Sequence, residues 1–188
     1  MIDVTLRYVR NELNEYLQRR GNYSDPVALS NIQSLDGANA NRLTDKIIIS
    51  LIKADHDVSG GRQPVASRTQ DLEHYRRVPP LPLNLYLLAS ANFGNYEDGL
   101  KYLSATIAFF NSHSPFDPQR SPLLPKGISQ LDLHIENLSI HDLSTLWGVL
   151  GGTHLPSMYY KARVVSIDTA EIERKDPIIV QIDQAVRP

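Results

Sequence analysis

Cysteine is absent from the 188-residue sequence, and this absence excludes disulfides, thiolate metal sites and cysteine nucleophiles. An excess of positive charge is also lacking: the formal net charge is −2, so composition gives no reason to expect a nucleic-acid partner. The longest apolar run, residues 81–91 with Asn84 inside it, is too short to span a bilayer. The N-terminus carries charges throughout, unlike a signal peptide. These features predict a soluble protein without a membrane span.

Local catalytic motifs are missing as well. The sequence has no G-x-S-x-G, no G-x-x-x-x-G-K-[ST] and no G-x-G-x-x-G, and its six histidines include no helical i, i+4 pair of the kind that binds zinc. DHDVSGG at 55–61 begins like a calcium loop, but Ala66 stands where a bidentate Glu is required, so a polar turn is predicted. We therefore predict no catalytic, metal-binding or cofactor-binding residue. A Ser-His-Asp set assembled from distant segments, as in a small metal-independent hydrolase, remains an alternative.

Three segments have the apolar periodicity of amphipathic helices. The first starts near residue 2, the second follows Asn95 as N-cap, and the third starts after Ser139 and ends at Gly151. The residues predicted to be buried are Ile2, Leu6, Val9, Leu13 and Leu17; then Tyr96, Leu100, Leu103, Ile107 and Phe110; then Leu143, Leu146, Trp147 and Leu150.

Six segments are typical of strands: 27–35, 46–54, 81–89, 130–136, 157–168 and 177–186. Segments 46–54 and 81–89 are apolar on both alternating faces, which indicates central strands. In 130–136, Leu131, Leu133 and Ile135 are predicted to point inward. The order α-β-β-β-α-β-α-β-β predicts an α+β fold with a mixed, largely antiparallel twisted sheet and about three packed helices. We expect one domain over 1–188, with a core at 1–170 and a C-terminal strand or arm at 171–188.

Three groups of residues are candidate contact elements. The long polar loop at 55–80 carries the only concentration of basic residues, and the strand at 130–136 has one polar face. The C-terminal segment alternates apolar side chains that could add to another sheet or pair within the chain. The candidate interface residues are Arg62, Arg68, Arg76 and Arg77; Asp132, His134 and Glu136; and Ile178, Val180 and Ile182.

Several motifs in order resemble one protein family. They are PPLPLNLYLLAS from 79, NYEDGLKYLSATIAFF from 95, LP at 124–125, LWGVLGG from 146 and PSMYYKARVV from 156. Together they resemble the cap, or tail-terminator, proteins of extracellular contractile injection systems, phage-tail-like particles of the virulence-cassette and antifeeding-prophage type. The resemblance extends from the first helix to about residue 168.

The resemblance implies a non-enzymatic structural protein with a phage tail-terminator-like fold. It implies a homohexameric ring that closes the distal end of the inner tube and anchors the last sheath layer, with tube and sheath proteins as partners and no cofactor. Assembly would take place in the bacterial cytoplasm, before the particle is released or docks on a membrane. A tail-completion protein or baseplate adaptor of the same particle, and a monomeric peptide-binding module, are further alternatives.

Overall fold

The computed structural model describes residues 1–32, 40–57, 74–77, 82–151, 154–166 and 172–176, and every statement below concerns these residues. The side chains at 40, 41, 74–77, 166 and 172–176 are not described. The elements, in chain order, are α1 (Ile2–Gln18), β1 (Val27–Leu29), α2 (Ala40–Leu43), β2 (Lys46–His56), β3 (His74–Arg77), β4 (Leu83–Asn92), α3 (Tyr96–His113), β5 (Ile128–Ile135), α4 (Ile140–Leu150), β6 (Ser157–Ser166) and β7 (Ile172–Asp176).

Five strands form the main sheet in the order β1-β2-β4-β6-β5. Only the β1–β2 pair is parallel, and the other three pairs are antiparallel. The two strands predicted to be central, β2 and β4, are both interior strands. The predicted α+β class with a mixed, largely antiparallel sheet is therefore confirmed.

Helices α1 and α3 cover one face of this sheet. Their buried side chains share a single core cluster with strand residues such as Leu85, Leu87 and Tyr160. The apolar stripe predicted for α1 is confirmed, because Leu6, Val9, Leu13 and Leu17 are all buried and Ile2 packs against the same core.

Helix α4 lies on the opposite face. Neighbouring strand residues point to opposite faces, so Leu88 projects away from the core reached by Leu87. Leu88 forms a smaller cluster with Ile32 and Trp147, and Trp147 is the one fully buried side chain of α4. The prediction that Trp147 is a core residue is confirmed. Ser139 caps the start of the helix, and Gly151 ends it at φ 66°.

The predicted buried face of α3 is partly wrong. Leu103 and Phe110 are buried, but Tyr96 is 66% exposed and Leu100 is 39% exposed. The buried face is centred instead on Tyr102, Leu103, Thr106, Phe109 and Phe110. The helix carries apolar residues on two flanks, and the sheet and α1 select the flank that they cover.

Other differences concern strands. Within the described part of the segment predicted at 27–35, residues 27–32, the strand extends over Val27–Leu29, and residues 33–35 lie outside the described residues. Ile135 is 43% exposed although it was predicted to point inward. The interval predicted as a loop at 55–80 contains β3, which pairs with β7 in a separate two-stranded sheet. Strand β7 precedes the strand predicted at 177–186, which lies outside the described residues.

Candidate interaction surfaces

Beside α4, the second face of the main sheet carries charged and aromatic side chains in register. One row across four strands is His134, Lys161, Tyr86 and Lys53; the next is Asp132, Arg163, Asn84 and Asp55. We call these residues, with Tyr159, the polar sheet face. They meet because side chains of alternate residues share one face of a sheet.

Aromatic rings and cations make up the centre of the polar sheet face. Tyr86 stacks on Tyr159 with ring centroids 5.9 Å apart. The Nζ atoms of Lys53 and Lys161 lie 5.7 and 6.0 Å from the Tyr86 centroid, within the range of cation–π attraction. Burial, followed by the neighbouring Tyr86, raises the pKa of Tyr159. Partly buried tyrosines beside cations are typical of protein–protein contact sites.

Ion pairs hold two of the cations in place. Lys53 Nζ lies 2.6 Å from Asp55 Oδ2, and the hydrogen bond and charge of Asp55 raise the pKa of Lys53. Arg163 Nε lies 2.6 Å from Oδ2 of the buried Asp57. Asp55 and Asp57, the two carboxylates of the segment that begins like a calcium loop, therefore each contact a basic side chain. Lys161 has no ion-pair partner within the described part of the chain.

Asp132 and His134 lie at the β5 end of this face, where Ser114 joins them. Ser114 Oγ donates to Asp132 Oδ1 at 2.7 Å, and His134 Nε2 lies 2.9 Å from Asp132 Oδ2. In a catalytic triad the histidine stands between serine and acid, so that it can take the serine proton. Here the carboxylate stands between them, and His134 cannot act as base toward Ser114. The two contacts instead fix the orientation of the Asp132 carboxylate on the edge strand β5.

A second serine–histidine pair occurs at the end of α3. Ser112 Oγ lies 2.8 Å from His113 Nδ1 and donates to Ala108 O at 2.8 Å, while His113 Nδ1 lies 3.0 Å from Phe109 O. A carbonyl oxygen only accepts, so the hydrogen bond to Phe109 O requires the proton on Nδ1. That nitrogen then cannot accept the serine proton, and the negative end of the helix dipole disfavours an oxyanion. Ser112 and His113 therefore act as hydrogen-bond donors to the backbone carbonyls of the last turn of α3.

This helix end borders a cleft of about 360 Å³ that includes Glu12, Glu15 and Phe116. Burial, followed by the charge of Glu15, raises the pKa of Glu12. Among the described residues, no three His, Asp or Glu side chains converge as metal ligands would.

On each edge of the main sheet, groups from other elements bind some of the outward-facing backbone N–H and C=O groups. At β1, Val27 N donates to Asn14 Oδ1 at 3.1 Å, and Arg10 Nε donates to Val27 O at 3.0 Å. At β5, Leu131 exchanges two backbone hydrogen bonds with Phe116, at 2.8 and 3.0 Å, and Leu133 N donates to Ser114 Oγ at 2.9 Å. Unpaired edge groups are what allow a strand from another chain to add, so these contacts oppose extension of the sheet at those positions.

Apolar surface is exposed on two helices. On α4, Ile140 is 88% and Val149 is 76% exposed, and Leu143, Leu146 and Leu150 are half-buried. On α3, Tyr96 and Leu100 are exposed as described above. Tyr96 and Leu100 lie one turn apart on α3, whereas Ile140 and Val149 lie at opposite ends of α4, so only the α3 pair is contiguous.

The residues predicted from sequence are only partly brought together. Asp132 and His134 share the polar sheet face, and Glu136 follows it, half-buried, with its N–H donating to Tyr159 O at 2.9 Å. Arg76 and Arg77 belong to β3, with side chains that are not described. Arg62, Arg68, Ile178, Val180 and Ile182 lie outside the described residues. Their roles stay predictions.

Sequence reasoning missed the centre of the polar sheet face. Tyr159, Lys161 and Arg163 alternate along β6 and so share one face, a signal that was present in PSMYYKARVV. Tyr86 and Lys53 could not be assigned to the same face without the strand order, which places β4 beside β6 and β2 beside β4.

No helix in the described part of the chain combines the length and apolar character needed to cross a membrane. No curated protein matches the sequence.

Two solved structures share the fold. The sheath/tube terminator of the PVC extracellular contractile injection system, in its extended state, has a TM-score of 0.62 and 13% identity, covering 100% of this chain and 64% of that one. The tube-terminating cap of the anti-feeding prophage has a TM-score of 0.55 and 14% identity, covering 96% of this chain and 61% of that one. This chain thus spans less than two thirds of the length of either protein. The family model described as the Pvc16 N-terminal domain matches residues 5–181, and the chain therefore belongs to that family.

Proposed function

We propose that this chain is a structural cap, or tail terminator, of a contractile injection system. In this role it closes the distal end of the inner tube as a homohexameric ring and anchors the last sheath layer. The observation that carries the proposal is its membership of the Pvc16 N-terminal domain family over residues 5–181. The shared fold of two structures, one a sheath/tube terminator and the other a tube-terminating cap, supports it.

The partly closed sheet edges are suited to a terminator. A protein that ends a polymer must bind the last layer without offering the surface on which another layer grows. Asn14 and Arg10 close the edge at Val27, and Phe116 and Ser114 close the edge at β5. Growth by strand addition would require these contacts to break.

The polar sheet face is the surface best suited to contact tube or sheath protein. It presents Tyr86 and Tyr159 beside Lys161, with Asp132 and His134 at one side, so a partner can be bound by aromatic packing and by charge. The arginines of the 55–80 loop and the apolar residues at 178–182 are proposed as additional contact elements.

A structural role without catalysis agrees with both serine–histidine clusters. At Ser114 the carboxylate stands between serine and histidine, and at Ser112 the imidazole proton is directed at a carbonyl. Neither arrangement activates a serine by the mechanism of a triad. We place the protein in the cytoplasm during assembly and in the extracellular particle afterwards.

Deletion of the gene in a strain that makes the particles tests the proposal. We expect tubes of irregular length that lack a distal cap in electron micrographs, and sheaths that separate from the tube end; the wild-type gene should restore capped particles. A tagged copy should co-purify with tube and sheath proteins and label the distal end. Label at the baseplate end would favour the adaptor alternative, and uniform, contractile particles without the gene would refute both.

A further inference from the structure

Lys161 stands at the centre of the polar sheet face, beside two aromatic rings. It lies opposite Tyr86 across the β4–β6 ladder, and Tyr159 is two residues before it on the same strand. All three side chains are half-buried. Tyr159 borders the cluster under α4 on one side and stacks on Tyr86 on the other. The two rings therefore form an aromatic platform next to a partly desolvated cation.

The other charged side chains in the two rows of this face have partners within the chain. The pairs are Lys53 with Asp55 at 2.6 Å, Arg163 with Asp57 at 2.6 Å, and His134 with Asp132 at 2.9 Å. Lys161 is the exception among the described residues, because its Nζ lies 6.0 Å from the Tyr86 centroid and forms no ion pair. The face thus carries one cation whose charge is not compensated.

An uncompensated cation at this position favours an anionic ligand. Removing part of the water around an ammonium group has a cost in free energy, and attraction to the ring of Tyr86 offsets only a fraction of it. A carboxylate that approaches Lys161 forms a charge-assisted hydrogen bond. The attraction becomes stronger when the partner displaces the remaining water. The geometry therefore selects a negatively charged group over Lys161.

The surroundings of Lys161 favour a single carboxylate over a polyanion. His134 lies opposite Lys161 on β5, and Asp132 and Glu136 stand two residues before and after it. Acidic side chains on this side repel the successive phosphates of a nucleic acid, whereas one carboxylate can contact Lys161 alone. The adjacent tyrosine rings provide the apolar contact area that the residues around such a carboxylate need. An acidic side chain on a polypeptide meets both conditions.

We propose that Lys161 binds an aspartate or glutamate side chain of another protein of the particle, whose neighbouring residues pack on Tyr86 and Tyr159. This inference rests on the proposed cap function and names the residue and the chemistry of one of its contacts. Charge complementarity at one point, surrounded by aromatic packing, fixes the position of the partner on the face.

Substitution of Lys161 separates binding from stability, because the side chain has no ion pair among the described residues. The full-length chain is mixed with particles from a strain that lacks its gene, and binding is measured by co-sedimentation over a range of salt concentrations. We expect Lys161→Gln to bind about tenfold more weakly than wild type, with a smaller dependence on salt and an unchanged melting temperature. Lys161→Arg should retain most of the binding. Lys126→Gln is the matched control, because Lys126 is exposed in the loop before β5.

Carbodiimide cross-linking identifies the partner, because this reagent joins an amine to a carboxyl group in contact with it. Mass spectrometry of treated wild-type particles should show Lys161 linked to an aspartate or glutamate of a tube, sheath or other particle protein. The proposal is overturned if Lys161→Gln binds as tightly as wild type, or if Lys161 is linked only to another copy of this chain or to nothing. It is also overturned if a fluorescein-labelled DNA oligonucleotide binds the chain and Lys161→Gln abolishes that binding.

The wild-type chain provides the control for the cap function itself. Its failure to bind particles would refute the proposed function, and this contact with it. Binding by wild type together with equal binding by Lys161→Gln would refute the Lys161 contact alone.

Discussion

Replacing Asn14 with alanine tests whether α1 closes the β1 edge of the sheet. Asn14 is 7% exposed, and its Oδ1 accepts the hydrogen bond from Val27 N at 3.1 Å. Alanine removes the acceptor and leaves the Val27 N–H between α1 and the sheet. A buried donor without a partner costs about 1–3 kcal/mol of unfolding free energy. Alanine also favours the helix by up to about 0.7 kcal/mol, which offsets part of this loss.

Asn11→Ala provides the matched control. Asn11 lies on the same helix and is exposed, where it accepts a hydrogen bond from Arg10 Nη1 at 3.2 Å. Both variants gain the same helix propensity, so the difference between them isolates the buried hydrogen bond. We expect Asn14→Ala to be less stable than Asn11→Ala by about 1–3 kcal/mol. For a domain of this size the melting temperatures should then differ by about 2–12 °C.

Urea unfolding followed by far-UV circular dichroism measures this difference. If the dependence of the unfolding free energy on urea concentration is the same in both variants, only stability has changed. Equal urea midpoints for the two variants would refute the reasoning, since they would show that Asn14 does not stabilise the edge.

Three further substitutions test other parts of the fold. Gly21→Ala should lower the melting temperature, because a Cβ would overlap the Tyr102 hydroxyl and lie 2.5 Å from Tyr102 Cζ. Tyr102→Phe in the Gly21→Ala background should recover part of this decrease. An unchanged melting temperature in Gly21→Ala would contradict the close packing of Tyr102 against Gly21. Tyr160→Phe should raise the free energy of unfolding in urea by about 1 kcal/mol, because the buried hydroxyl has no partner among the described residues. A decrease would indicate that the hydroxyl forms a stabilising hydrogen bond. Burial and the charge of Glu15 raise the pKa of Glu12, so the folded state binds the Glu12 carboxyl proton more tightly than the unfolded state does. The free energy of unfolding therefore falls as pH rises from the ordinary pKa of glutamate through the raised pKa of the folded state. Glu12→Gln should therefore be stabilising at pH 7 but not below about pH 4, and an equal gain at both would exclude titration as the cause.

The elements with one strong apolar period were predictable from the sequence. Helix α1 buries Leu6, Val9, Leu13 and Leu17 as their spacing indicates, and β2 and β4 occupy the sheet interior as two-sided apolar strands should. Caps were equally readable, because Asn95 and Ser139 act on backbone N–H groups only two or three residues away. In each case the residues involved are close in sequence.

Helix α3 shows where this reasoning stops. Its sequence offers two apolar flanks, and periodicity cannot say which one the sheet will cover; the structure buries Phe109 and leaves Tyr96 exposed. Likewise, β3 and β7 are polar segments far apart in sequence, and only their pairing makes them strands.

By itself the sequence determined the three long helices and the interior position of β2 and β4, and its ordered motifs indicated the family. Only the tertiary structure decided that Tyr86, Tyr159 and Lys161 meet on one face and that Asn14 closes the edge at Val27. The physical reason is the range of the forces involved. Periodicity and capping depend on neighbours within a few residues, whereas strand order, sheet edges and exposed flanks depend on contacts between distant segments.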